Sequence, residues 1–157
     1  MNGLTNRDTG SDQFRTFGEM QNALSRDEVP LEILSPRQAE AIRRLGELVK
    51  LPHNWDSYGS PPPTRVAVET VVELLLRIDN RNLPAARVVP VSGGGVQLEW
   101  CVPGRELQLE VSGDGTAQYL KIENGRPTKE EEITPTSNQL RLLLTWLTPR
   151  AAERWAA

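Results

Sequence analysis

A chain with one cysteine cannot close a disulfide on itself, and Cys101 is the only cysteine among 157 residues. Histidine is equally scarce. His53 stands alone, so no Cys/His set exists for a structural zinc site, and no metal is expected. No run of about 20 apolar residues occurs, which argues against a membrane-spanning helix. The polar, mixed-charge stretch from Met1 to Pro30 also lacks the apolar core of a signal peptide. These absences point to a cytoplasmic protein without membrane contact. Positive charge is not in excess either: 18 Lys and Arg against 21 Asp and Glu leave a net charge of −3. Without the basic footprint that phosphate binding demands, nucleic acid is disfavoured as a partner. No cofactor is expected, because the glycine triplet Gly93-Gly94-Gly95 leads into a strand rather than a helix N-terminus. It reads as a hairpin turn or bulge.

What is present suits one ordinary domain, since a chain of this length buries a core without cross-links. Residues 1–30 are read as a flexible polar tail and residues 31–157 as a single α+β domain. Both phenylalanines of the chain, Phe14 and Phe17, lie in the tail. With Met20 and Leu24 they fall at spacings that align on one face of a short helix, which makes Phe14 and Phe17 candidate docking anchors.

A first helix is predicted from Ser35-Pro36 to about Lys50, with serine as cap and proline at the first helical position. Its apolar stripe is Ala39, Ile42, Leu45, Leu48 and Val49. A second helix is predicted from the Thr64 cap through Val66 to Ile78, and its near-continuous Val/Leu content marks it as the most buried. The period then changes to two. Arg87 to Val91 is a short strand whose Pro90 belongs at a sheet edge. Val96 to Val102 follows, with Val96, Leu98 and Trp100 inward and Gln97, Glu99 and Cys101 outward. A turn at Pro103-Gly104 sets Trp100 opposite Leu107, Leu98 opposite Leu109 and Val96 opposite Val111. A turn at Asp114-Gly115 sets Leu109 opposite Leu120 and Leu107 opposite Ile122. Gly125 to Glu132 reads as a charged connector, and a third helix capped by Thr136 or Ser137 carries Leu140 to Leu147. The expected architecture is α+β in two layers: helix, helix, four-stranded antiparallel meander, C-terminal helix.

Chemistry-bearing candidates are few. His53 near Asp56, with Ser57 and Ser60 close in sequence, suggests a base, its orienting carboxylate and a nucleophile. No glycine-flanked serine at a strand-to-helix elbow accompanies them. The preferred reading makes Asn54, Trp55, Asp56, Tyr58 and Gly59 a structural loop. Asn54 and Asp56 bond backbone amides, while Trp55 and Tyr58 plug the gap between the first two helices, with Trp55 largely buried. On the outer sheet face the expectation gathers Glu99, Glu106, Gln108, Glu110 and Tyr119. Carboxylates on neighbouring strands could hold a hard cation or act as an acid/base pair. A solvated face that binds a protein is preferred, and no catalytic residue is assigned.

The run Leu51-Pro52-His53-Asn54-Trp55-Asp56-Ser57-Tyr58-Gly59-Ser60-Pro61, the Val/Leu-rich helix after it, Gly94 to Trp100 and Leu107 to Val111 resemble a diffuse group of small uncharacterised bacterial and phage proteins. Members of that group share an Asn-Trp-Asp-x-Tyr-Gly-x loop before a helix and a Leu-Glu-Trp strand after it. The resemblance covers roughly residues 35–121. It implies a bacterial, cytosolic origin and the fold above, and carries over no catalytic residue. The expected function is a non-enzymatic protein-interaction module, an accessory, antitoxin-like or immunity-type component. The alternative is a small hydrolase or metal-dependent enzyme using His53, Asp56 and the sheet glutamates.

Overall fold

A computed structural model describes residues 34–78, 83–134 and 138–148. Helix α1 spans Pro36–Leu48 and helix α2 spans Arg65–Arg77. Five strands follow: β1 Arg87–Val91, β2 Gly95–Val102, β3 Arg105–Val111, β4 Ala117–Glu123 and β5 Arg126–Glu132. Helix α3, Asn138–Leu147, closes the described chain. The strands form one antiparallel sheet in the order β1-β2-β3-β4-β5. The α+β class holds, with five strands instead of four.

Ser35 caps α1 as expected, and Gln38 completes a reciprocal capping box: Ser35 Oγ accepts from the Gln38 amide and Gln38 Oε1 accepts from the Ser35 amide. The same Gln38 donates its side-chain amide to the carbonyls of Leu75 (2.8 Å) and Ile78 (3.2 Å), satisfying the end of α2. That double duty rotates the buried stripe of α1. Gln38, Ala41, Leu45 and Leu48 face the core, whereas Ala39, expected there, is exposed. Thr64 caps α2, and its hydroxyl also donates to the Gly113 carbonyl at 2.6 Å, tying the helix start to the β3–β4 loop. The anticipated cap of α3 at Thr136 or Ser137 lies outside the described residues.

The β2–β3 register is the expected one, with Trp100 opposite Leu107, Leu98 opposite Leu109 and Val96 opposite Val111. The β3–β4 register is not. Leu109 faces Tyr119, Leu107 faces Lys121, and Gln108 faces Leu120. The loop Gly113-Asp114-Gly115 has three residues where a two-residue turn was anticipated. The Gly115 amide closes a turn onto the Ser112 carbonyl at 2.9 Å, and Ser112 N–H donates to the Thr116 carbonyl. Gly115 adopts φ +89, a left-handed conformation that glycine enters without steric cost. One extra loop residue shifts the pairing by one and turns every β4 side chain to the opposite face. Tyr119 is therefore buried (2 % exposed) in the helix-covered layer, and Leu120 and Ile122 stand on the other side.

The segment expected to be a connector is β5. Its signal is Asn124-Gly125, both with positive φ, which is the pair a tight two-residue hairpin favours. Its composition, Arg-Pro-Thr-Lys-Glu-Glu-Glu, opposes strand formation by propensity but suits an edge. All seven residues are exposed, and proline and charge deter pairing with other chains. The core lies on one side of the sheet, where Leu45, Val71, Leu74, Leu75, Leu140, Leu143 and Leu147 of the helices meet Val96, Leu98, Trp100, Leu107, Leu109 and Val111. Helix α3 is fastened at the far end. Arg105 donates to the Trp146 carbonyl, Lys121 and Arg105 sit 4.7 and 5.3 Å from the Trp146 ring centre, and Trp146 Nε1 donates to Glu123. Val66, Leu76 and Leu142 are helix residues that remain exposed.

Candidate functional site

Because paired residues share a face, the registers lay out the outer side of the sheet as a grid. One row across the strands is Arg87, Glu99, Gln108, Leu120, Glu130; the next is Val89, Gln97, Glu110, Gln118, Glu132; a third is Cys101, Glu106, Ile122, Pro127. Neighbouring strands stand roughly 4.8 Å apart, and same-face neighbours along a strand about 6.7 Å apart. Leu120 and Ile122, half-buried, are thus flanked by Glu106 and Glu110 on β3 and by Glu130 and Glu132 on β5. None of the described helices contributes to this face.

Five carboxylates stand here against one guanidinium, that of Arg87, so the face is more negative than the chain's net −3. Arg87 reaches Glu99 at 3.1 Å, and Gln97 donates to the other Glu99 oxygen at 2.9 Å. Gln108 donates to Glu106 at 2.6 Å. Among the described residues Glu110, Glu130 and Glu132 have no cationic partner. An edge-protection role explains the charges of β5, yet not Glu106 and Glu110 on the central strand β3.

The structure brings Glu99, Glu106, Gln108 and Glu110 together as anticipated. Tyr119 does not join them. It points into the opposite layer, where burial first and then Glu131, which accepts its hydroxyl at 2.9 Å, raise the phenol above its usual pKa. The register shift that removes Tyr119 supplies Leu120, Ile122, Glu130 and Glu132, none of which the sequence reading assigned to the face. The Asn124-Gly125 pair was the signal that could have found the two glutamates. Phe14 and Phe17 lie outside the described residues. Cys101 is exposed on the outer face.

The loop between α1 and α2 is a bonded knot. Asn54 and Ser57 hold positive φ values of 64 and 65, and Gly59 N–H donates to Asn54 Oδ1 at 2.7 Å. Asp56 Oδ1 accepts from the amides of Tyr58 (2.9 Å) and Ser60 (3.2 Å), while Asp56 Oδ2 accepts from Ser92 Oγ (2.9 Å) in the β1–β2 turn. Ser60, buried, receives the Gly93 amide at 3.2 Å. The Ser60 hydroxyl foremost, with the Tyr58 amide and Ser92, holds the Asp56 carboxyl well below the usual carboxylate range against the opposing effect of burial. Its lone pairs are committed to the loop, and His53, exposed, forms no hydrogen bond with it. Ser60 is a bridging hydroxyl here. Trp55 is only half-buried, its indole N–H given to the Pro61 carbonyl at 3.0 Å, so it braces its own loop. Tyr58 does not plug a helix gap: it is 92 % exposed, because the positive φ at Ser57 and the Asp56 bond to its amide turn it outward.

A carboxyl with a depressed folded pKa stabilises above its unfolded pKa of about 4 and loses that contribution as pH falls through the folded value. Asp56→Ala is therefore expected to lower the melting temperature at pH 7, with the gap to the parent closing as the pH is taken well below 4. Thermal melts of both proteins across pH 2 to 7 check this. A gap unchanged over that range would mean that the Asp56 charge does not hold the loop.

Among the described residues no three His, Cys, Asp or Glu side chains are grouped to hold a metal ion. No described helix is long and apolar enough to cross a membrane. Comparison with protein-family models, with curated proteins and with solved structures found no match.

Proposed function

We propose that this chain is a non-enzymatic protein-interaction module, an accessory, antitoxin-like or immunity-type component, that binds a basic protein surface through the outer face of its sheet. One observation carries the reading: Leu120 and Ile122, turned outward by the three-residue loop, sit between carboxylates of β3 and β5 that have no cationic partner among the described residues. An apolar centre inside a polar rim is the anatomy of a protein interface. One-signed charge favours a partner of opposite sign and speeds encounter with it. Charge also speaks against two occupants. A second copy would bring the same carboxylates, and residues 1–33 hold Arg7, Arg15 and Arg26 against Asp8, Asp12, Glu19, Asp27, Glu28 and Glu32.

The hydrolase or metal-enzyme alternative requires His53, Asp56 and a sheet glutamate in one cleft. Asp56 instead spends its oxygens on Tyr58, Ser60 and Ser92, which gives that reading less support.

The test is a charge reversal. Glu106→Lys, Glu110→Lys and Glu130→Lys combined are expected to leave the melting temperature within a few degrees of the parent, because exposed charges contribute little to stability. Partners recovered by the parent from its native host are then purified and titrated against both proteins. The reading expects basic partners whose affinity falls at least about tenfold on reversal and weakens with salt. Partners of acidic surface, or equal affinity for both proteins, would overturn it.

A further inference from the structure

Three loops meet at one end of the sheet, and the Tyr58 ring stands clear of them. The α1–α2 loop is tied to the β1–β2 turn by the bonds from Ser92 to Asp56 and from Gly93 to Ser60, and the Thr64 amide donates to the Gly94 carbonyl at 2.9 Å. The Thr64 hydroxyl adds the β3–β4 loop through Gly113. Packing between the turns is close: a Cβ on Gly113 would collide with the Gly93 carbonyl, and one on Gly94 would come within 2.8 Å of the Thr64 methyl.

Isolated exposed apolar side chains are ordinary on protein surfaces and by themselves mean little. Tyr58 differs in what holds it out. Ser57 takes φ 65, a left-handed conformation that strains a residue with a Cβ, and its amide closes a turn onto the Asn54 carbonyl at 3.1 Å. The Asn54 amide reaches the Ser60 carbonyl at 2.8 Å, and the Asp56 carboxylate fixes the Tyr58 amide. None of these bonds involves the phenol. The ring is 92 % exposed and its hydroxyl has no partner among the described residues, so folding gains little from it. Strain kept around a ring that the fold does not use points to a use outside the chain. A ring already fixed in its bound pose also loses little freedom on binding.

Charge sets the kind of partner. Residues 52–64, 92–95 and 112–116 contain no Lys or Arg, and their carboxylates, Asp56 and Asp114, are both bonded to loop amides. Without cations this end offers nothing to a phosphate, whether of nucleic acid or of a lipid headgroup. Asn54, Ser57, Gly59, Ser92 and Gly93 are exposed, small and uncharged. Tyrosine among Ser, Gly and Asn is the composition of loops that recognise proteins.

We propose that this end is a second binding site, at which Tyr58 enters an uncharged, apolar pocket of a protein partner as an anchor residue. The ring packs on the pocket walls and its hydroxyl takes a hydrogen bond at the floor. The site rests on the reading of this chain as a protein-interaction module and not on the acidic outer face.

The full chain and its Tyr58→Ala variant, which should share one melting temperature, are immobilised and challenged with lysate of the native host in about 0.5 M salt, where contacts between exposed charges are screened. Proteins retained by the parent and lost by the variant are purified and titrated against both. Affinity is expected to fall at least about tenfold on Tyr58→Ala, to fall less on Tyr58→Phe, and to change little with salt. With p-benzoylphenylalanine in place of Tyr58, ultraviolet light should cross-link the chain to residues lining a concave apolar site of the purified protein. The combined Glu106→Lys, Glu110→Lys and Glu130→Lys variant should bind that protein as the parent does, which separates failure of this site from failure of the outer face. The proposal is overturned if no captured protein distinguishes the parent from Tyr58→Ala, if the cross-link falls on a flat or charged surface, or if the charge reversal weakens the same binding equally. It is equally overturned if Tyr58→Ala melts well below the parent, or if sedimentation shows that Tyr58 only pairs the chain with a second copy.

Discussion

Trp100→Ala is expected to cost about 3–5 kcal/mol and leave the domain largely unfolded at 37 °C. The side chain is 1 % exposed, lies opposite Leu107 and belongs to the cluster that joins all three helices to the sheet. Among the described residues its indole N–H has no hydrogen-bond partner, so what they hold it by is packing. Trp100→Phe therefore loses volume but no bond, and should recover most of the stability. Trp55→Ala is the contrast. With Trp55 half-buried and bonded within its loop, the cost should be about 1–2 kcal/mol. Urea titrations of the three variants decide. A Trp55→Ala protein as unstable as Trp100→Ala would mean that the loop, rather than the sheet, anchors the core.

Leu120→Thr with Ile122→Thr is expected to weaken partner binding at least about 100-fold while barely moving the melting temperature. Threonine keeps strand propensity on a half-exposed face, so the fold loses little. The apolar centre of an interface carries most of its affinity, and a hydroxyl there must be desolvated on binding. Dissociation constants for the purified partner, with the melt as control, measure both quantities. Unchanged affinity would place the contact surface elsewhere and leave the outer glutamates as a solvated face.

Much of this was legible beforehand because local chemistry decided it. Ser35 and Thr64 are helix caps by side-chain geometry, Pro90 is confined to an edge by its missing N–H, and alternation in residues 96–102 and 105–111 matches faces across Pro103-Gly104 in a single register. The outward set Glu99, Glu106, Gln108 and Glu110 followed directly from that register.

Strand β4 was different, because its pattern is degenerate. Shifted one way, Leu120 and Ile122 face the core; shifted the other, Ala117 and Tyr119 do, and hydrophobicity alone does not choose. The choice was made by the left-handed Gly115 conformation and by contacts distant in sequence: Lys121 over Trp146, and Tyr119 with Glu131. Strand β5 is held by ladder bonds to β4 and by the Asn124-Gly125 turn despite its composition, since an exposed edge tolerates residues that a central strand does not. The direction of Tyr58 has a local cause instead, the positive φ at Ser57 and the bond of its amide to Asp56. The sequence by itself determined the helices, the first three strands and half of the acidic face. Tertiary structure decided the other half, since a one-residue loop choice sets which way every β4 side chain points and β5 pairs with β4.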